Sequence, residues 1–558
     1  MSQPDDLSVT TGGGLNCQFG YRDAAGFAAA IDELVTDRIA SRITDQDPTL
    51  WGPDAESEAR TRLSWATLAT SSRPLVDQIE ALRAQLRDEG VDHVVLAGMG
   101  GSSLAPEVIC ATAGVELVTL DTTDAGQVAS ALADRLERTV LVVSSKSGGT
   151  VETDSHRRVY EKAFTDKGID PKSRIVVVTD PGSPLQQLAE QAGYRALFLA
   201  DPHVGGRYSA LTAFGLVPAG LAGADIGALL DSAAEAAAVL AGDDRDNPGL
   251  RLGALLGLAH NSSPNGGAGC DKVVFADFGS GIKGFGDWVE QLIAESTGKQ
   301  GRGLLPVVVE SPAAAGFADA RQDAITIQLV PASSRYDPDS PPVSGWGAAT
   351  GGPLGGQLLL WEYATAVAGR LIGIDPFDQP NVEEAKKQAR SLLDSAGDEQ
   401  APEPALTDGA VQVFASNLDL GSAGSLADAL ALLFGAAPEL GYVSVQAYLD
   451  RHADSAAAGL RGPVATRTGL QTTFGWGPRF LHSTGQYHKG GHPNGVFLQI
   501  TGTVSADLAV PDRPYSFAVL QQAQAAGDAT VLAGKGRPVL HLHLTDRAAG
   551  LAQLQRAL

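Results

Sequence analysis

The sequence predicts an α/β protein: two doubly wound parallel-sheet domains with an additional α/β segment at the C-terminal end. Three observations carry this expectation. The runs Val94-Val95-Leu96-Ala97 and Val140-Leu141-Val142-Val143 are continuous apolar stretches rich in β-branched residues, as strands covered on both faces require. Each runs directly into a Gly/Ser loop and then into a helical pattern. Strands that alternate with helices in this way are joined by crossovers, which a parallel sheet accommodates. The chain length of 558 residues allows two or three domains, and its 66 glycines suit many tight strand–helix turns.

Taken in order, residues 1–60 are expected to form a helical N-terminal segment, with one apolar stripe at Phe27, Ile31, Leu34 and Ile39. Residues 61–222 are expected to form the first sheet domain, opening on a second stripe at Leu75, Ile79, Leu82 and Leu86. Its first strand leads into Gly98-Met99-Gly100-Gly101-Ser102-Ser103, with Pro106 in the first turn of the helix that follows. Leu117–Leu120 and Ile175–Asp180, the latter closed by Pro181-Gly182, are further strands. Val140–Val143 leads into Ser144-Ser145-Lys146-Ser147-Gly148-Gly149-Thr150. Ligands of such sheets sit beyond the carboxyl ends of the strands, where both loops lie. The free N–H groups and partial positive charge of a helix start attract an anion, and glycine admits the backbone close to it. Hydroxyls and a lysine complete a phosphate shell, although a capped helix start with a flexible turn has the same composition. The G-x-x-x-x-G-K-[ST] spacing is absent, so no nucleotide is expected. Gly205-Gly206-Arg207-Tyr208-Ser209 then offers either a planar, permanently charged donor against close-packed backbone or a solvated loop arginine.

A second sheet domain is expected over 223–400. Lys272–Ala276, Leu305–Val309 and Ile325–Leu329 are its strands, Pro331–Pro353 a loop, and Leu354–Ile372 a long apolar helix. Asp287 to Thr297 reads as a helix with Asp287 as N-cap and Gly298 as C-cap. Trp288, Leu292 and Glu295 share one face of it, so Glu295 lies at the apolar margin, partly desolvated and suited to act as a base. A solvated helix-end glutamate is the plainer alternative. The helix after Asn381 places Lys386 on its inward stripe, where the stem can pack while the head reaches water. Residues 395–404 form a polar linker. Over 401–558, helices are expected at Ser425–Phe434, Val443–Arg451 and Ser516–Ala525, and strands at Val496–Thr501 and Val539–Leu544. Between them, His482, His488 and His492 fall within eleven residues, but the cysteine or carboxylate partners of a metal site are missing beside them.

Composition excludes several functions. The 41 Lys and Arg against 65 Asp and Glu give a net charge of −24, which repels nucleic acid and acidic membranes. Three cysteines without a C-x-x-C pair argue against a disulfide framework. Met1 to Gly20 shows no basic start and no apolar core of a secretory signal, and the apolar run Ala213–Leu230 is broken by Pro218 and Asp225. A cytoplasmic protein with no membrane, nucleic acid, metal or cofactor partner is expected.

Five stretches resemble one family. They are Gly98–Leu104, Ser145-Lys146-Ser147-Gly148-Gly149-Thr150-Val151-Glu152-Thr153, Gly205–Ser209, Glu295-Ser296-Thr297-Gly298-Lys299, and Phe377-Asp378-Gln379-Pro380-Asn381-Val382-Glu383-Glu384-Ala385-Lys386. The first two occur in many sugar-isomerase (SIS) domains. The Glu-Ser-x-Gly-Lys and Phe-Asp-Gln-Pro blocks, in this order, are those of glucose-6-phosphate isomerases, which are built from two SIS domains. One departure stands out: the family's His-Ser-x-Gly-Gln-Tyr block comes after the lysine block, at His482–Tyr487. In this the chain resembles the isomerase part of actinobacterial transaldolase fusions.

The resemblance implies interconversion of glucose 6-phosphate and fructose 6-phosphate without a metal or cofactor. Ser102, Ser145, Ser147 and Thr150 would hold the phosphate, Lys146 would balance its charge, and Gly101, Gly206 and Gln379 would line the site. Glu295 would move the proton between carbon-2 and carbon-1, Arg207 would stabilise the enediolate, and Lys386 with His482 would open the ring. A homodimer is likewise implied. The alternatives are a non-catalytic phosphosugar-binding SIS module and a bifunctional isomerase that also accepts mannose 6-phosphate.

Overall fold

The computed structural model describes residues 8–262, 269–334, 345–381, 388, 393 and 403–558. Three sheets organise it. The first is fully parallel, in the order Val118–Leu120, His93–Gly98, Thr139–Ser144, Ile175–Thr179, Ala196–Leu199. Its central strands are apolar on both sides because both sides are covered. Val95, Ala97, Leu141 and Val143 enter one core cluster, while Val94, Leu96, Val140 and Val142 enter another.

The second sheet runs Ser8–Gly12, Leu15–Gly20, Gly347–Gly351, Ala324–Val330, Lys272–Asp277, Leu305–Val308. The last four are parallel, and the N-terminal hairpin joins them antiparallel, with Phe19 opposite Ala348. Ser8–Gly12 and Leu15–Gly20 are therefore strands where a helical N-terminal segment was expected, and Gly347–Gly351 is a strand inside the expected loop. Ser8–Gly12 and Gly347–Gly351 are made mostly of small residues, whose strand state comes from pairing, not from propensity. The third sheet runs Leu406–Asp408, Val411–Ser416, Val539–Leu544, Gly495–Gly502, Tyr442–Tyr448, Gln471–Trp476, with its last four strands parallel. Tyr442–Tyr448 replaces the helix expected over Val443–Arg451. Its period is two: Val443, Val445 and Ala447 face one core cluster, while Tyr442, Ser444, Gln446 and Tyr448 occupy the opposite face, also buried.

That polar face turns toward the other two domains. Tyr442, Phe497 and Val539 pack with Val274, Val307 and Tyr487. Phe517, at the start of the Phe517–Gly534 helix, is fully buried among the first domain's Val128, Val159 and Tyr160 and stacks on His156 with ring centroids 5.5 Å apart. Lys386 and most of the helix expected after Asn381 lie outside the described residues, as does most of the linker that follows.

Candidate active site

The carboxyl end of the first sheet opens onto a cleft of about 470 Å³. Gly101, Ser102, Ser145, Lys146, Ser147, Thr150, Gly206, Glu295, Gln379 and His482 all line it. Ten expected residues, scattered over nearly four hundred positions, thus meet in one place. Arg207 lies just behind the wall, and Lys386 lies outside the described residues.

Two Gly/Ser loops make the floor. Thr139–Ser144 ends at the cleft, and the 16-residue helix Val151–Asp166 begins beyond it with Thr150 as N-cap. Thr150 makes no side-chain cap; its hydroxyl bonds Ser145 Oγ at 2.9 Å. The helix-start amides are thus left for an anion. The companion loop, Gly100–Ser102, is held against Gly206 so tightly that a Cβ on Gly101 would lie 2.0 Å from the Gly206 carbonyl oxygen. Only glycine fits there. Lys146 Nζ pairs with Asp180 Oδ2 at 2.5 Å, so its charge already has a partner within reach of the cradle.

The Phe285–Thr297 helix crosses the opposite wall. It starts two residues earlier than expected, with Gly284 as N-cap at φ 73°, which frees Asp287 to pair with Arg479 at 3.0 Å. Glu295 is 7% exposed, and Gln291 Nε2, one turn earlier, donates to its Oε2 at 3.4 Å. Arg207 Nη1 stands 3.8 Å from the same oxygen. The arginine is buried, and its Nη2 donates to the carbonyl of Phe377 at 2.5 Å, that of Asp378 at 3.1 Å, and Gln379 Oε1 at 2.7 Å. Its Nε–H has no partner among the described residues. Lys299 secures the same turn by donating to the Asp375 and Asp378 carbonyls at 2.7 and 2.6 Å. Burial, reinforced by the charge of Arg207, pushes the Lys299 ammonium down to about 8.

His482 comes from the third domain. Its Nε2 is 3.2 Å from Glu152 Oε1. A carboxylate only accepts, so Nε2 is the donor. The three clustered histidines part company: His488 sits between the Tyr442 and Ser444 hydroxyls, and His492 approaches His260 at 3.4 Å. Glycine again permits the docking, because a Cβ on Gly298 would lie 2.5 Å from the Tyr487 Cα.

Glu152, Gln291, Arg62 and Asp180 belong to the site although sequence reasoning assigned them no role. Gln291 was findable, since it precedes Glu295 by four on one helix face. Arg62 and Asp180 carried no local signal.

A phosphoglucose isomerase family model matches residues 75–304. The probable glucose-6-phosphate isomerase of Natronomonas pharaonis is 30% identical over 436 residues, covering 69% of this chain and 97% of that protein. The glucose-6-phosphate isomerase of Synechococcus elongatus is 32% identical over 355 residues, covering 54% of this chain and 66% of its own length. Among solved structures, a hypothetical protein of Thermus thermophilus matches with TM-score 0.56 and 25% identity, over 70% of this chain and all of that one. A glucose-6-phosphate isomerase from Chlamydia trachomatis shares the fold, with TM-score 0.55 and 18% identity, over 70% of this chain and 90% of that one. By sequence, fold and the motifs gathered around this cleft, the chain belongs to the phosphoglucose isomerase family.

Proposed function

We propose a division of labour for the reaction, the interconversion of glucose 6-phosphate and fructose 6-phosphate through an enediolate. The carrying observation is that a carboxylate, a histidine and a hydroxyl-lined anion cradle face one cleft of about 470 Å³, with an arginine buried behind the carboxylate. Ser102, Ser145, Ser147, Thr150 and the open helix start hold the phosphate, and Lys146 balances its charge. Binding at that remote group orients the sugar. His482, oriented by Glu152, exchanges protons at the ring and anomeric oxygens to open the ring, and Lys386 assists by family resemblance. Glu295 takes the proton from carbon-2 and returns it to carbon-1. Arg207 stabilises the negative charge that develops on the enediolate oxygens.

Family resemblance also supports a homodimer, which sedimentation equilibrium would weigh directly. Among the described residues no helix is long and apolar enough to cross a membrane, and this with the glycolytic relatives supports a cytoplasmic enzyme. The deciding assay couples isomerisation of fructose 6-phosphate to a glucose-6-phosphate dehydrogenase, alongside mannose and glucosamine 6-phosphates. Rapid turnover confined to the glucose–fructose pair is expected. Binding without turnover would favour a phosphosugar-binding module, and equal turnover of mannose 6-phosphate a bifunctional isomerase.

A further inference from the structure

We infer that Gln524 and Thr123 are positioning residues for ring opening, acting on His482 through Glu152. The inference rests on the role proposed above for His482. Thr123 Oγ1 donates to Gln524 Oε1 at 2.7 Å, Gln524 Nε2 donates to Glu152 Oε1 at 2.6 Å, and His482 Nε2 lies 3.2 Å from that same oxygen. The polarity of this chain is fixed at its Glu152 end. Glu152 can only accept, so the Gln524 amide must present its NH2 to it and its oxygen to Thr123, which then donates. The reversed amide would set two acceptors face to face.

The three supporting side chains are walled off from water: Thr123 is 0%, Glu152 4% and Gln524 4% exposed. A lost bond therefore has no solvent replacement. Their backbones are equally fixed. Thr123 lies between the Val118–Leu120 strand and the Ala125–Ala133 helix, in a loop where Asp124 N–H donates to Thr122 Oγ1 at 3.0 Å. Glu152 is in the first turn of the Val151–Asp166 helix. Gln524 falls two turns after Phe517 on one face of its helix, so the buried Phe517 ring sets its depth. The third domain thus both delivers the histidine and, from a separate helix, clamps the carboxylate that orients it.

Gln524→Leu keeps the volume and removes both bonds; Thr123→Val removes the far donor alone. For ring-closed glucose 6-phosphate, kcat is expected to fall roughly tenfold for Gln524→Leu and about threefold for Thr123→Val, with KM nearly unchanged. Turnover of a 4,5-dideoxy aldose 6-phosphate, which cannot close a ring, should stay near wild type. In a His482→Ala background, Gln524→Leu should add nothing further. Equal slowing on both substrates, or a full additive loss beside His482→Ala, would overturn the inference. Wild-type turnover in His482→Ala itself would overturn the ring-opening role beneath it. If Gln524→Leu fails to fold, Thr123→Val leaves the Gln524–Glu152 bond in place and carries the same readouts.

Discussion

Glu295 is defined by what surrounds it more than by its exposure. The carboxylate is 7% exposed, receives an amide donor from Gln291, and stands 3.8 Å from a guanidinium while lining the cleft where carbon-bound hydrogen would be presented to it. Glu295→Gln preserves the shape and the Gln291 contact region but cannot take a proton. Turnover is expected to fall by about a hundredfold or more with substrate affinity largely kept, measured by steady-state kinetics and by titration with substrate. Near-normal turnover would remove Glu295 from the mechanism. Arg207→Lys tests a different quantity. The Arg207 fork spans the Phe377 and Asp378 carbonyls and Gln379 while staying near Glu295, a geometry that a single ammonium cannot reproduce. Its kcat should drop more than its substrate affinity. Equal losses in both would mean that the arginine only shapes the wall. At this scale much of the site was legible, because Glu295, Arg207 and the serines sit in short motifs where residue type and local pattern coincide. Glu152 was within such a motif yet unassigned, since its partner His482 lies 330 residues away and no local pattern encodes that contact.

The element that brings His482 to the cleft is the short turn Arg479–His482, and Arg479 is its anchor. Its Nη1 meets Glu107 at 2.5 Å and Asp121 at 3.0 Å, and its Nη2 meets Asp287 at 3.0 Å. One guanidinium therefore ties the turn to the first domain and to the helix that carries Glu295. Burial works against charge on Glu107, yet Arg479 and Arg451 outweigh it and hold that carboxyl down at about 2. Arg479→Met leaves the 2%-exposed Asp121 and Glu107 facing each other with Arg451 alone. Unfolding free energy is expected to drop by about 3 kcal/mol, read from urea denaturation, and kcat on ring-closed substrate should fall with it. A stable variant with intact kcat would show that the turn is held elsewhere. Elements differ in how far the sequence announces them. Thr139–Ser144 is legible because double-sided burial writes an unbroken apolar run. Tyr442–Tyr448 is not, because its second buried face carries Tyr, Ser and Gln, which imitates the polar side of a helix. Gly347–Gly351 carries no strand signal at all and exists through pairing with the Leu15–Gly20 and Ala324–Val330 strands on either side.

On the scale of the whole molecule, three imidazoles shielded from water must stay neutral, and one of them, His156, lies where the third domain meets the first. His156 donates from Nε2 to the Thr122 carbonyl at 2.8 Å and stacks on Phe517; burial pushes it down to about 4. His541, packed on Phe414, is likewise pushed down to about 4 by burial, and burial takes His488, between Tyr442 and Ser444, well below its ordinary value. All three are neutral in the folded chain near pH 6, whereas an unfolded histidine takes up a proton below about 6.5. At these three sites the unfolded chain therefore binds more protons than the folded one between about pH 6.5 and 4, so their contribution to stability falls as pH falls. Each histidine contributes up to about 1.4 kcal/mol per pH unit, and the three together about 3–4 kcal/mol between pH 7 and 5.5. Carboxylates held low by arginines, such as Glu107, lose their contribution only further down, below about pH 4.5, while the buried Glu362, which burial raises well above its ordinary value, works in the opposite sense. Urea denaturation of the wild type and of His156→Gln at the two pH values isolates one ring: the variant, which removes one titrating group, should lose about 1 kcal/mol less than the wild type between pH 7 and 5.5. A pH-dependent loss in His156→Gln equal to that of the wild type would mean that the His156 ring already carries a proton in the folded chain.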